Sequence, residues 1–291
     1  MLGNRVGGWR VAATAVTGVV FAVLCGMFAF YGAAVAEPGS DFLLEEGPAP
    51  PGANDPSCRP DAEHPPVVLV HGTFANMQNS FFRLSPWLVR RGYCVYALNY
   101  GDHVGPVYAL GDIRESAREL RLFVDRVLAY TGARRVSIVG HSQGGMMPRY
   151  YIKYLGGADK VEDLVGLAPS NHGTRVPERL VLGAPIVLDA SFLGLCTSCD
   201  QQQIGSDFLQ KLNAGDETPG AVDYTVIATR TDTVVVPYTS SYLSGPSAQV
   251  ANVLLQDRYP YDPSGHLGIV YDPNAYEIIL EALAQKGPAE P

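Results

Sequence analysis

Short apolar runs alternate with amphipathic stretches along most of the chain, and this alternation predicts its secondary structure. Runs rich in β-branched residues are predicted as buried strands, at 67–70, 93–98, 136–139, 163–167, 222–228 and 251–255. Apolar positions at helical spacing predict helices at 81–91, from 113 to a stop at Gly132, after Gly144 and at 276–283. Strands that alternate with helices predict an α/β fold, with a mostly parallel sheet covered by helices on both faces.

Residues 171–215 interrupt this alternation of strands and helices, because they separate two predicted strands by more than the length of an ordinary connection. We expect a lid or cap insertion here. Within it, residues 180–195 carry a single charged residue, Asp189. Such an apolar stretch fits a lid that faces lipid, and it fits equally well a helix packed on the sheet.

The first 36 residues have the pattern of an export signal. Arg5 and Arg10 precede a long uncharged apolar run, which ends in the small residues Ala34 and Ala36 at the spacing of a cleavage site. This predicts a signal peptide over 1–36 and a secreted, extracellular protein. About 20 apolar residues suffice to span a bilayer, so an uncleaved membrane anchor with the rest of the chain outside is the alternative.

The remaining chain divides by composition. Residues 37–65 are rich in proline, glycine and acidic residues and predict an extended arm. Residues 66–286 are expected to form the α/β domain, and 287–291 a short tail. The net charge of −8 argues against nucleic acid as a partner. We expect a monomer.

Four of the five cysteines lie beyond the predicted signal, and an even number in an exported chain predicts two disulfides. Three pairings are possible. Proximity favours Cys196 with Cys199, which leaves Cys58 to pair with Cys94. The second bond would then tie the arm to a core strand.

The segment Gly140-His141-Ser142-Gln143-Gly144 contains the pattern G-x-S-x-G. The pattern alone is weak evidence, but here an apolar strand precedes it and helix-compatible residues follow. A sharp turn from strand to helix needs glycine on both sides of the serine, and it raises the hydroxyl to the carboxyl edge of the sheet. Ser142 is therefore the predicted nucleophile.

A serine hydroxyl needs a general base, and the base needs a carboxylate that orients it. In this arrangement the chain order is serine, acid, histidine. Of the six histidines, His266 lies beyond the last predicted strand. Asp232 follows the fifth strand after a short turn, and we prefer it to Asp257 and Asp262, which lie on the histidine's own loop.

A reaction at an ester carbonyl also needs donors for the oxyanion. We expect these to be the N–H of Gln143 and the N–H of Thr73, in the loop after the first strand, with the Thr73 hydroxyl as a further donor. His71 is expected to be a buried, hydrogen-bonded histidine. His141 is expected to face away from the catalytic histidine.

These motifs together resemble secreted actinobacterial-type lipases of the class 2 triacylglycerol lipase family. The resemblance runs from about residue 56 to residue 272 and rests on six segments in the family order: VVLVHGTFANM, GYCVYALNYG, VGHSQGGMMPRYY, APSNHGT, TDTVVVPYTS and GHLGIVYDP.

The resemblance implies an α/β-hydrolase that cleaves acylglycerols and simpler carboxylic esters without a cofactor. The apolar stretch at 180–195 is the candidate surface for contact with a lipid–water interface. The resemblance also implies roles for nine residues: the triad Ser142, Asp232 and His266, the oxyanion residues Thr73 and Gln143, and the disulfides Cys58–Cys94 and Cys196–Cys199. The alternatives are a cutinase-like polyesterase or an acyltransferase on the same fold, and a non-catalytic binding module. Asp257 and Asp262 do not form a complete ligand set for calcium, so no metal site is assigned.

Overall fold

The computed structural model of the protein describes residues 47–61, 64–175 and 194–291. The predicted signal at 1–36 and most of the apolar segment 180–195 lie outside the described residues. Within those described ranges, no helix is both long enough and apolar enough to cross a bilayer.

A six-stranded parallel sheet forms the centre of the fold, in the order β2-β1-β3-β4-β5-β6. The strands are β1 Val67–Val70, β2 Val95–Leu98, β3 Val136–His141, β4 Val161–Leu167, β5 Asp223–Ala228 and β6 Val250–Leu254. β1 lies between β2 and β3, so the chain direction across the sheet reverses between β1 and β3. In parallel sheets such a reversal opens a crevice at the carboxyl ends of the strands, where ligands bind.

Eight α-helices lie within the described part of the chain. They are α1 Met77–Phe81, α2 Leu84–Val89, α3 Ile113–Thr131, α4 Gln143–Tyr154, α5 Thr197–Gln201, α6 Asp207–Asn213, α7 Leu255–Arg258 and α8 Pro273–Ala284. Together with the parallel sheet they confirm the predicted α/β class. The insertion predicted at 171–215 contains α5 and α6.

The helix predicted over 81–91 is shorter than expected: α2 covers only Leu84–Val89 of that range, and a separate helix, α1, ends at Phe81. Asn76 caps the start of α1, because its side chain accepts a hydrogen bond from the N–H of Asn79. α2 begins after Arg83 and has Pro86 in its first turn. The ring of a proline clashes with the carbonyl four residues earlier, so a continuous helix through Phe82 is disfavoured.

Two apolar cores cover the two faces of the sheet. Successive residues of β1 alternate between them, since Val68 and Val70 belong to one core and Val67 and Leu69 to the other. α3 and α4 cover the first face, and α1, α2 and α8 cover the second. The sheet is thereby buried on both faces, and the ends of its strands remain available for chemistry.

The part of the arm around Asn54 lies along the outer edge of β2. The side chain of Asn54 bonds both backbone groups of Ala97, at 2.9 Å each, and the Asn54 N–H donates to Val95 O. A disulfide joins Cys58 to Cys94 at the start of this strand. The arm thus occupies hydrogen-bonding groups that an edge strand otherwise leaves open.

Candidate active site

Ser142 lies on a strained turn between β3 and α4. Its φ of 54° falls in the left-handed region, which serine rarely adopts. A Cβ at Gly140 would overlap the carbonyl oxygen of Gly144, and a Cβ at Gly144 would overlap that of Val70. The two glycines are therefore required by close backbone contacts, as the sequence pattern predicts, and the turn places Ser142 at the carboxyl end of β3.

His266 and Asp232 form a buried pair. His266 Nδ1 lies 2.8 Å from Asp232 Oδ2, and the side chains are 4% and 1% exposed. The other carboxylate oxygen, Oδ1, accepts hydrogen bonds of 2.8 Å from the N–H groups of Val234 and Val235. Because the carboxylate is fixed on both oxygens, it holds the imidazole with Nδ1 as donor and leaves Nε2 free to act as a base.

His141 connects the serine turn to the histidine loop. Its Nε2 donates to the backbone oxygen of His266 at 2.9 Å, and the two rings are 4.7 Å apart. Burial lowers the pKa of His141 well below its usual value, so the ring is neutral. The expectation that His141 faces away from the catalytic histidine is wrong. The hydrogen bond from Nε2 to the backbone oxygen of His266 holds the ring against the histidine loop.

The structure brings Ser142 and His266 to the same edge of the sheet but does not join them by a hydrogen bond. Across the described part of the chain, the Ser142 hydroxyl has no hydrogen-bond partner, and this serine is 8% exposed. Catalytic hydrogen bonds are often long in free enzymes and shorten when substrate binds.

The loop after β1 lies against the serine. A Cβ at Gly72 would lie 3.0 Å from Ser142 Cβ. His71 is fully buried, and burial lowers its pKa to about 4, so the neutral ring donates from Nδ1 to Gly72 O at 2.8 Å. This confirms the expectation for His71. In a trans peptide the N–H points opposite to the C=O, so this bond directs the Thr73 N–H away from His71.

The two predicted oxyanion residues meet through their side chains. Thr73 Oγ1 donates to Gln143 Oε1 at 2.6 Å. Their backbone N–H groups donate to no group in the described ranges. The Thr73 hydroxyl, expected as an additional oxyanion donor, is therefore engaged by Gln143.

Gln202, which is not among the predicted site residues, also contacts both residues. Its Nε2 donates to Thr73 Oγ1 at 2.9 Å and to Gln143 Oε1 at 3.1 Å. It follows α5, within the predicted insertion, and no sequence motif marks it. Its contacts depend on how the insertion folds back over the sheet edge.

The two aspartates that were not predicted for the triad make other contacts. Asp257 pairs with Arg230 at the surface, and Asp262 bonds Asn274. The part of the chain described here contains no group of three or more histidine, cysteine, aspartate or glutamate residues arranged to hold a metal ion. A second disulfide joins Cys196 to Cys199 at the start of α5.

The model of the family described as "Lipase (class 2)" matches residues 64–276. A triacylglycerol lipase of Pseudarthrobacter phenanthrenivorans is 36% identical over 93 residues, which are 29% of this chain and 27% of that protein. A triacylglycerol lipase of Vibrio cholerae serotype O1 is 34% identical over 137 residues, 40% of each chain. The chain thus matches well under half the length of these relatives.

Solved structures resemble this one in fold. Aspergillus fumigatus lipase B has a TM-score of 0.66 and 22% identity, over 85% of this chain and 65% of that one. The mature form of Bacillus licheniformis lipase BlEst2 has a TM-score of 0.59 and 17% identity, over 79% and 96%. The fold is thus that of the α/β-hydrolases, as the sequence predicts.

Proposed function

Because the chain belongs to the class 2 lipase family, we propose that it is a serine-dependent carboxylic-ester hydrolase that acts on acylglycerols and related lipid esters. The observation that carries the proposal is the buried pair of His266 and Asp232, held beside the strained turn of Ser142. A buried carboxylate, an imidazole in one tautomer and a serine at a helix N-terminus together suit acyl transfer.

The reaction divides into two acyl transfers. His266 Nε2 takes the proton of Ser142 Oγ as the oxygen attacks the ester carbonyl, and Asp232 stabilises the imidazolium that forms. The negative charge on the carbonyl oxygen is met by the N–H groups of Thr73 and Gln143. His266 then gives its proton to the departing alcohol, and water, activated by the same imidazole, releases the acid from Ser142.

Apolar surface near these residues supports a lipid substrate. Leu267 follows the base directly and is 71% exposed. Exposed apolar side chains at the rim of a site favour contact with a lipid–water interface. Two disulfides support export to an oxidising compartment, where such substrates are met.

The test compares wild-type protein with Ser142→Ala. The wild type should hydrolyse p-nitrophenyl esters and react with a fluorophosphonate probe, and Ser142→Ala should do neither while keeping its melting temperature within about 2 °C. Ser247→Ala, at an exposed serine, is the matched control and should behave as wild type. A series of ester chain lengths, run beside emulsified triglyceride, identifies the preferred substrate. Hydrolysis by Ser142→Ala at the wild-type rate would refute the proposal.

A further inference from the structure

Gln202 is a buried amide that joins three parts of the site region. It is 7% exposed and ends α5. Its Nε2 is within hydrogen-bond distance of Thr73 Oγ1 at 2.9 Å, Gln143 Oε1 at 3.1 Å and Ser198 O at 3.1 Å. Its Oε1 accepts from Ser170 Oγ at 2.8 Å. Both ends of the amide are therefore fixed.

The side chain of Gln143 depends on Gln202 for one of its two hydrogen bonds. A glutamine amide has two donor hydrogens and one acceptor oxygen. Gln143 Nε2 is buried with no partner in the described ranges, so the side chain is held only through Oε1. That oxygen accepts from Thr73 Oγ1 and Gln202 Nε2. Without Gln202, a single hydroxyl would hold Gln143.

The turn that carries Gln202 is itself strongly constrained. The disulfide between Cys196 and Cys199 closes it. Ser198 donates from its hydroxyl to Ala109 O at 2.7 Å and from its N–H to Leu110 O at 3.1 Å. The backbone oxygen of Gln202 accepts from Thr174 N–H at 2.9 Å. A rigid support of this kind can fix an amide well enough to orient the groups it contacts.

We propose that Gln202 is a positioning residue for the oxyanion site. This proposal rests on the ester-hydrolase function proposed above. Thr73 lies after β1 and Gln143 after β3, so their N–H groups converge only if the two loops keep a fixed separation. The triangle of Thr73 Oγ1, Gln143 Oε1 and Gln202 Nε2 sets that separation. Gln202 also keeps Gln143 Oε1 bonded when the Thr73 hydroxyl turns toward the charged carbonyl oxygen of the reacting ester.

The test uses Gln202→Met, which keeps approximate length and removes both hydrogen-bonding groups. We expect kcat for p-nitrophenyl butyrate to fall about 10- to 100-fold, less than the loss of a direct oxyanion donor. KM should stay within about twofold, since the interaction strengthens only in the transition state. The inhibition constant of phenylboronic acid, whose serine adduct is tetrahedral, should rise by the same factor as kcat falls. Gln203→Met, at the exposed neighbouring glutamine, should match the wild type.

A kcat within twofold of wild type for Gln202→Met would overturn the proposal, as would a fall in kcat with unchanged boronate inhibition. If Gln202→Met does not fold, Gln202→Glu decides, because it keeps the acceptor for Ser170 and replaces the donor with a carboxylate oxygen. Its activity relative to wild type should be low at neutral pH and rise as pH falls, since a protonated carboxyl can donate. Wild-type activity at neutral pH would overturn the proposal. A wild-type protein inert to esters and to fluorophosphonate would instead refute the proposed function.

Discussion

Removing the disulfide between Cys58 and Cys94 should cost stability and leave activity intact. The bond closes a loop with a sequence separation of 36. In the chain-entropy relation, a loop of that length contributes about 3.8 kcal/mol at 25 °C. The double variant Cys58→Ala/Cys94→Ala should lose about 2–4 kcal/mol, which is the typical measured contribution of a disulfide.

The activity of this variant should match wild type, because the bond lies at the amino end of β2 and the proposed catalytic side chains lie at the carboxyl ends of the strands. Urea unfolding followed by fluorescence gives the free energy of unfolding, and the melting temperature should fall by about 5–15 °C for a domain of this size. For the free energy of unfolding, Cys196→Ala/Cys199→Ala is the control. Its separation of 3 gives less than half the entropic effect in the same relation.

Two results would refute this reasoning. A loss below about 1 kcal/mol would mean that the bonds of Asn54 to Ala97 hold the arm without the disulfide. A folded double variant with impaired ester hydrolysis would mean that the arm influences the site across the sheet, contrary to the separation of the two ends.

Three further predictions concern single residues. Asp232→Asn should lower kcat by about 10⁴-fold, by analogy with the loss of the equivalent carboxylate in serine proteases, whereas Asp257→Asn, at the surface, should have little effect in the same ester assay. Gly72→Ala should slow hydrolysis by up to about 100-fold in a folded protein, because the added Cβ would lie 3.0 Å from Ser142 Cβ and would displace the serine slightly, and the rate of fluorophosphonate labelling reports the change. Burial raises the pKa of Asp163 to about 7, so the folded state holds a proton that the unfolded state releases above about pH 4. The stabilisation from this bound proton is complete below about pH 4 and is lost as pH rises through 7. Asp163→Asn should therefore be more stable than wild type at pH 8, on the order of 2–4 kcal/mol by urea unfolding, and close to wild type at pH 4.

The contradicting outcomes are equally specific. A larger loss of kcat from Asp257→Asn than from Asp232→Asn would mean that the acid that orients His266 lies on the histidine's own loop. Normal labelling of Gly72→Ala would mean that the loop after β1 can shift away from the serine. A constant stability difference for Asp163→Asn between pH 4 and pH 8 would mean that this carboxyl is ionised in the folded protein.

Local signals were sufficient for most of the fold. α3 runs from Ile113 to Thr131 as its apolar stripe predicts, because Asp112 caps its first turn and Gly132 adopts a left-handed conformation at its end. The strands follow their β-branched runs to within two residues of the predicted positions at nearly every end. The break between α1 and α2 was missed, because a helical pattern alone does not show the clash at Pro86.

The candidate site was likewise predictable only in part from the sequence. Chain order and strand ends led to Asp232 and His266, which the structure brings within 2.8 Å. Gln202 and the orientation of His141 were not predictable, because both depend on packing between segments far apart in sequence. Gln202 meets Thr73 across 129 positions of the chain, and no local pattern encodes such a contact.

The arm along β2 bears on how far the protein can be shortened. A fragment that began at residue 66 would keep every strand and every catalytic side chain, yet it would leave the backbone of Val95 and Ala97 without Asn54. An uncovered outer strand is a template for pairing between molecules. Such a fragment would tend to self-associate, so the shortest stable form of the protein is longer than the segment that carries the strands and the proposed catalytic residues.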